Sequence, residues 1–458
     1  MQTSVLLQPA HSRMPRPNDP GQSDGPGRIL LRVFETLDST GIPYCVLHGY
    51  ERYPRIKSDV DCIIDPKISP RQLLMLLQHK SERIGAEAVH CRGYYIVLAG
   101  KNSDGSLCFL TLDMAADCEL HGLPLYAGRE ILASRRRHQQ FWIPAADVEF
   151  GCYLARTIAK GTLDDERTHR LSSLYRLDAA LCAQQVARFW SGRNGELIRA
   201  AAESGHWEAV HQQLHVLRAE LRWRAILRRP AHFAGNKLRA VFSRLGRIYR
   251  PGGLTVVLLG PDGAGKSSVV ELLGKTLTPA FSRSTCWGFA PSLGRLFGRG
   301  SSPTNQPHGL PARSLLTSLM RAGYWLVYYT VGHLNLRLVL ARSTLVLYDR
   351  HFIDILVDTR RYRYGGPLWV LRLIWRVIPK PNLIVLLDAP AETLQSRKQE
   401  VPFDETARQR RAYLSLVRGM KNVRIVNAAQ PLENVAADVT GIVLTFLANR
   451  IAGRVQPE

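Results

Sequence analysis

The sequence predicts an α/β protein in three parts. These are an α/β domain over 29–145, a helical and basic connector over 146–250, and a doubly wound parallel sheet over 251–450. Three observations carry this division. From residue 254 onward, apolar runs of strand length alternate with helical stretches, the pattern of parallel strands joined by crossover helices. Between 146 and 250 that alternation gives way to apolar residues three and four apart, as in Leu171, Leu174, Tyr175, Leu177 and Leu181. Before 146, short β-rich runs again interleave with helical ones.

In chain order, Met1 to Arg28 is rich in Pro, Gly, Ser, Asp and Gln. Its one apolar patch, Val5 to Leu7, is too short for a signal-peptide core, so a disordered tail is expected. Ile29 to Thr40 has helical periodicity. Tyr44 to Leu47 and Val60 to Ile64 read as strands, Pro70 to Ser81 as a helix, and Tyr94 to Leu98 and Leu107 to Leu112 as strands. Asp59 and Asp61 share one face of their strand, because side chains alternate with period two, and Asp113 ends another apolar strand. Convergent carboxylates of this kind can hold Mg²⁺ against a triphosphate. Solvated strand-end aspartates are the other reading.

The connector ends in a basic stretch. Between Arg218 and Arg250 there are ten Lys or Arg and one acid, Glu220, with Trp223, Phe233, Phe242 and Tyr249 among them. It reads as a solvated linker helix with snorkelling arginines, or as a surface for anionic membrane or nucleic acid. Pro251-Gly-Gly253 closes it. The last part has strands at Thr255–Leu259, Thr344–Tyr348, Leu383–Leu387 and Val423–Val426, so ligands belong at their C-terminal ends. Tyr324 to Val339 is the nearest approach to a membrane span. It carries His333, Asn335 and Arg337, and a buried or amphipathic helix is expected.

Composition narrows the partners. With 45% apolar and 22% charged residues the chain is of ordinary globular type, while its net charge of +23 points to anionic partners. The eight cysteines lack C-x-x-C spacing, which excludes a structural zinc site of that type and argues against a disulfide framework; a reducing, cytoplasmic setting is expected.

The chemistry is written most plainly at Gly260 to Ser268, GPDGAGKSS, directly after the apolar run Leu254 to Leu259. Strand, glycine loop and helix are the context in which G-x-x-x-x-G-K-[ST] binds phosphates. The backbone N–H groups of Gly260, Pro261's successors Asp262, Gly263, Ala264 and Gly265, and of Lys266, Ser267 and Ser268 form the cradle for ATP. Lys266 reaches the β- and γ-phosphates, and the Ser267 hydroxyl suits Mg²⁺. A second strand ends in Asp349-Arg350-His351. There a carboxylate can bind Mg²⁺ through water or accept a proton, and Arg350 can clamp an acceptor's anion. Asp354 and Asp358 follow at helical spacing, then Arg360, Arg361 and Arg363, which implies a charged acceptor pocket. The variable positions of the phosphate loop hold no Arg. The transition-state cation is therefore expected from the cluster Arg397, Lys398, Arg408, Arg410 and Arg411, with Arg397 as the catalytic candidate. Val423 to Gln430 is a strand and turn suited to an adenine ring.

Together, GPDGAGKSS, Asp349-Arg350-His351, Leu387-Asp388, Arg397-Lys398 and the last strand-turn resemble the thymidylate kinase family of nucleoside monophosphate kinases, over about 254–450. The resemblance implies ATP, Mg²⁺ and transfer to an acceptor phosphate, with Arg350 holding the acceptor and Asp262 near its sugar. The family carries Ser and then Ala-Tyr-Gln after its Asp-Arg motif, where this chain reads Ile353-Asp-Ile-Leu-Val-Asp-Thr-Arg-Arg. The acceptor reading is therefore a nucleoside monophosphate or a related sugar or nucleotide-sugar compound, bound by Asp262, Arg350, Asp354 and Arg360. The first domain resembles the nucleotidyltransferase superfamily, with Gly49 and Asp59 at the spacing of its Gly-Ser turn and Asp-x-Asp, and Tyr50 in place of the Ser. Two further readings stay open: nucleotidyl transfer through Asp59, Asp61 and Asp113, and a non-catalytic, nucleotide-gated adaptor. A homodimer is a further expectation.

Overall fold

The structure is a computed structural model that describes residues 25–50, 53–56, 59–289 and 308–455. The expected tail lies outside the described residues up to position 24. Helix α1 (Gly25–Ser39) starts earlier than expected: Pro26 sits in its first turn, where a missing N–H costs nothing.

The first sheet has the order β1 (Tyr44–Val46), β2 (Val60–Ile64), β5 (Leu107–Ala115), β4 (Tyr95–Lys101), β3 (Ala86–Arg92). Strands β2 and β5 run parallel, with Asp61 opposite Asp113; the other pairs are antiparallel. Helix α2 (Pro70–His79) begins in a capping box, in which the Ser69 hydroxyl accepts from the Gln72 N–H and the Gln72 side chain accepts from the Ser69 N–H. A short α3 (Ser81–Ile84) completes the expected helix. On one face of the sheet, Val46, Cys62, Ile64, Leu98 and Leu110 pack with α1 and α2. Strand β3 has no sequence signal because Glu87, His90 and Arg92 interrupt its apolar positions. Two small hairpins follow: β6 (Cys118–Leu120) with β7 (Leu123–Tyr126), and, after α4 (Gly128–Ala133), β8 (Arg136–His138) with β9 (Phe141–Ile143).

The helical stretch comprises α5 (Ala146–Lys160), α6 (Asp165–Leu177), α7 (Ala179–Phe189), α8 (Gly192–Ser204), α9 (Glu208–Gln212), α10 (Leu214–Arg228) and α11 (Pro230–Tyr249). It is more than a connector. Phe150, Leu154, Trp190, Leu217 and Leu221 form one core with Cys45 and Ile63 on the other face of the first sheet. Helix α11 contributes only the buried Asn236 and is otherwise largely uncovered.

The second sheet is wholly parallel, in the order β11 (Arg283–Trp287), β12 (Thr344–Tyr348), β10 (Leu254–Leu259), β13 (Leu383–Asp388), β14 (Val423–Asn427). Its central strands are almost wholly apolar, with Thr255 and Thr344 the buried polar exceptions, because both faces are covered. Leu254, Val256 and Leu258 pack on α12 (Lys266–Thr276) and α18 (Leu432–Val455). Val257 and Leu259 meet α13 (Leu315–Ala341) and, past α14 (Phe352–Val357), α15 (Leu368–Val377) and α16 (Ala391–Arg397), the helix α17 (Phe403–Val417). The edge strand β11, Arg-Ser-Thr-Cys-Trp, carries no apolar run and is invisible to periodicity.

Helix α18 is long and apolar enough to cross a membrane, but Val439, Val443 and Leu447 are fully buried in the second sheet's core. Val89, Val97 and Ala99, from β3 and β4, belong to that same core. Arg450 on α18 also donates to the carbonyls of Gly252 and Gly253 at 2.9 and 2.8 Å. The N-terminal sheet is thus covered by the helical layer at one end and by the C-terminal domain at the other.

Candidate functional site

The phosphate loop turns where β10 meets α12, and its geometry depends on glycine. Gly263 and Gly265 have φ of +84° and +83°, and a Cβ at Gly263 would stand 2.5 Å from the Leu394 carbonyl oxygen. Lys266 Nζ donates to the carbonyls of Gly260 at 2.7 Å and Pro261 at 3.0 Å, which folds it back along the loop. Burial pushes its ammonium below the usual lysine range, against the pull of Asp262 and Asp354. The Ser267 hydroxyl donates to Asp349 Oδ2 at 2.9 Å across neighbouring strand ends, and Asp349 Oδ1 is buried without a protein partner. A hydroxyl and a carboxylate with a spare buried oxygen make a hard oxygen donor set, and it fits Mg²⁺.

Lys266 also lines a small cavity of about 20 Å³. Asp262, Arg350, Arg361, Tyr362 and Tyr413 are on its wall. Arg361 ion-pairs with Asp262 and, at 3.2 Å, with Glu400, so one guanidinium ties the phosphate loop to the segment after α16. Arg350 stands 3.6 Å from the other Asp262 oxygen. Burial alone would raise the Asp262 carboxyl, but Lys266 and Arg361 outweigh it and hold it well below the usual range.

Several expected residues are placed differently. Asp354 borders the cavity, but its oxygens accept from the His351 N–H and the Tyr413 hydroxyl, both at 2.6 Å, so it caps α14 and is not free for an acceptor. Asp358 is likewise held, by His308 and Gln409 at 3.0 Å. Arg360 is exposed and does not line the cavity; its neighbour Arg361 does. Arg397 donates to the carbonyls of Ala428 and Ala429 at 2.7 and 3.4 Å, which puts it at the turn after β14. Arg410 grips Asp388 and Arg408 grips Glu405. Among the described residues, Arg350 and Arg361 are thus the guanidinium groups paired with Asp262 of the phosphate loop, while Lys398 of the expected cluster pairs with Glu400 at 2.6 Å. Glu400 and Tyr413 were also missed. Neither stands in a motif, and only the tertiary fold brings them to the loop.

In the first domain the structure gathers Asp59, Asp61 and Asp113 at the parallel β2–β5 pair. Asp61 accepts from His48 Nε2 at 3.0 Å and from Arg156 at 3.1 Å. Burial would raise its carboxyl, yet these partners hold it down to about 2. Asp59 and Asp113 are pushed up by burial and by Asp61. A cleft of about 450 Å³ opens beside Asp59, lined by His48, Arg156, Lys160, Arg167 and Arg170. The Tyr50 hydroxyl, where the resemblance would have a Ser, donates to buried Glu149 at 2.8 Å.

No family model matches the chain. The chain is 28% identical over 211 residues to a probable thymidylate kinase of Thermococcus gammatolerans, covering 42% of this chain and 96% of that protein. It is 26% identical over 216 residues to the thymidylate kinase of Xanthomonas oryzae, with 44% of this chain and 88% of the relative covered. It is 25% identical over 227 residues to that of Alteromonas mediterranea, with 43% and 93% covered. The shared length matches one domain and not the whole chain, and it supports a P-loop kinase-like region.

Proposed function

We propose that the C-terminal domain is an ATP- and Mg²⁺-dependent kinase acting on a nucleoside monophosphate or a related phosphate-bearing sugar compound. The observation that carries this is the meeting of Lys266, the Ser267–Asp349 pair and the Asp262–Arg350–Arg361 cluster at one sheet edge. The loop N–H groups and Lys266 bind the ATP phosphates. Lys266 then exchanges its two carbonyl partners for phosphate oxygens. Ser267 and Asp349 would hold Mg²⁺, which neutralises charge on the phosphates when bound. Arg350 and Arg361 orient the acceptor's anion, so that an acceptor oxygen forms the new bond to the γ-phosphorus as the bond to ADP breaks. Arg397, held against the turn after β14, borders the adenine side.

The test is ATP consumption by the full chain over nucleoside monophosphates, sugars and sugar phosphates. Turnover with one acceptor is expected, reduced at least about a thousandfold in Lys266→Ala. Undiminished turnover in that variant would place the activity elsewhere.

A second reading, nucleotidyl transfer by the first domain, is favoured by the three carboxylates at β2 and β5 beside a basic cleft. Label moving from an α-labelled nucleoside triphosphate to an acceptor, and lost in Asp113→Asn but kept in Lys266→Ala, would support it.

A further inference from the structure

Helix α13 packs against both α11 and α15, and each of the three leaves an apolar stripe in water. On α13, Met320, Tyr324, Val327, Val331, Leu334 and Leu338 recur at intervals of three and four and are 42 to 69% exposed. Trp369, Leu373 and Val377 on α15, and Phe242, Leu245 and Tyr249 on α11, recur at the same spacing and are 51 to 76% exposed. Scattered exposed apolar residues are ordinary, but stripes on adjacent helices mark a contact surface.

Charge selects the partner. None of the three helices contains an Asp or Glu, and together they carry eight Lys or Arg. Among the described residues, none of those eight, Arg372 and Arg376 on α15 among them, pairs with a carboxylate within the chain. A second copy would set like charges against each other across the contact. A nucleic acid would satisfy the guanidinium groups but leave Met, Val and Leu side chains in water. An anionic bilayer surface accepts all of it: aliphatic side chains enter the acyl boundary, Trp369 and Tyr324 suit the headgroup layer, and arginines meet lipid phosphates.

We propose that α11, α13 and α15 form a docking surface for anionic membrane, independent of which acceptor the kinase site takes. The experiment is co-sedimentation of the full chain with vesicles of phosphatidylcholine alone and of an equimolar mixture with phosphatidylglycerol. Binding to the mixture only, released by high salt, is expected. The double variant Arg372→Glu, Arg376→Glu should weaken partitioning at least about twentyfold, since each basic residue near an anionic surface contributes roughly a factor of five. Leu334→Glu should weaken it as well, and circular dichroism checks that both variants fold. Three outcomes overturn the proposal: equal binding of wild type and both folded variants, no binding to the mixture, or a dimer in analytical ultracentrifugation that Leu334→Glu dissociates. Binding that appears only after deletion of residues 290–307 would overturn it too, by assigning the surface to that segment.

Discussion

Asp262 concentrates the chemistry of the kinase-like site in one carboxylate. It stands on the phosphate loop, yet its partners, Arg350 and Arg361, come from the segments that follow β12 and α14. An anionic acceptor would compete with it for those two cations. Charge-assisted hydrogen bonds of this kind are worth about 1.5–3 kcal/mol, or roughly ten- to a hundredfold in affinity. Arg361→Ala is expected to lower kcat/KM for the acceptor by about that factor, while Arg360→Ala stays within about twofold, because its side chain points to solvent. Steady-state kinetics on the acceptor found by the panel checks both. The contrast also marks where sequence reading stops. The placement of Lys266, Ser267 and Asp349 at the strand ends was legible because short motifs fix both identity and direction. Arg360 and Arg361 stand in an irregular turn with no period to say which points inward. Arg397 was assigned to the phosphates from its place in a basic cluster, but two backbone carbonyls hold it elsewhere.

At the level of elements, legibility followed large apolar residues more closely than burial: β14 was read although mostly exposed, and β3 was missed although mostly buried. Strands β10, β12 and β13 are buried on both faces and read as nearly continuous apolar runs, whereas β3 and β11 mix polar and apolar residues and were missed. Strand β3 matters most of these, because it carries His90 into the contact with α18. Burial, then the cations of Arg450, Arg92 and Arg454, depress the His90 imidazole to about 4. A histidine depressed in the folded state favours the neutral form. Its contribution is full above the unfolded value near 6.5 and is lost as pH falls from there towards 4. Stability should drop by about 3 kcal/mol over that window. His90→Leu should flatten this part of the profile in urea unfolding followed against pH. An unchanged slope would mean that other groups carry it.

Across the whole molecule, three expected parts become two sheets that share buried surface. The helical stretch read as a connector closes one end of the first sheet, and α18 joins the other end to the kinase-like core. Periodicity could not show this, since it reports that a face is apolar but not which distant face covers it. Leu447, fully buried on α18, tests the arrangement. Leu447→Ala should cost about 2–5 kcal/mol. Tryptophans of both regions, such as Trp190 and Trp287, should then unfold at a lower denaturant midpoint together. Separate midpoints, with only one shifted, would show two independent units.

The seating of Val89, Val97 and Ala99 against α18 also bears on how the chain is made. During synthesis β3 and β4 leave the ribosome long before α18, the helix that covers them. Until then their apolar positions stay open, alongside sheet edges that invite wrong pairing. The first sheet can take on its strands as it emerges, but its final packing must wait for α18. Biogenesis would then depend on holding an incomplete domain apart from its neighbours on the polysome, and slow or crowded translation should raise the aggregated fraction before it alters the finished protein.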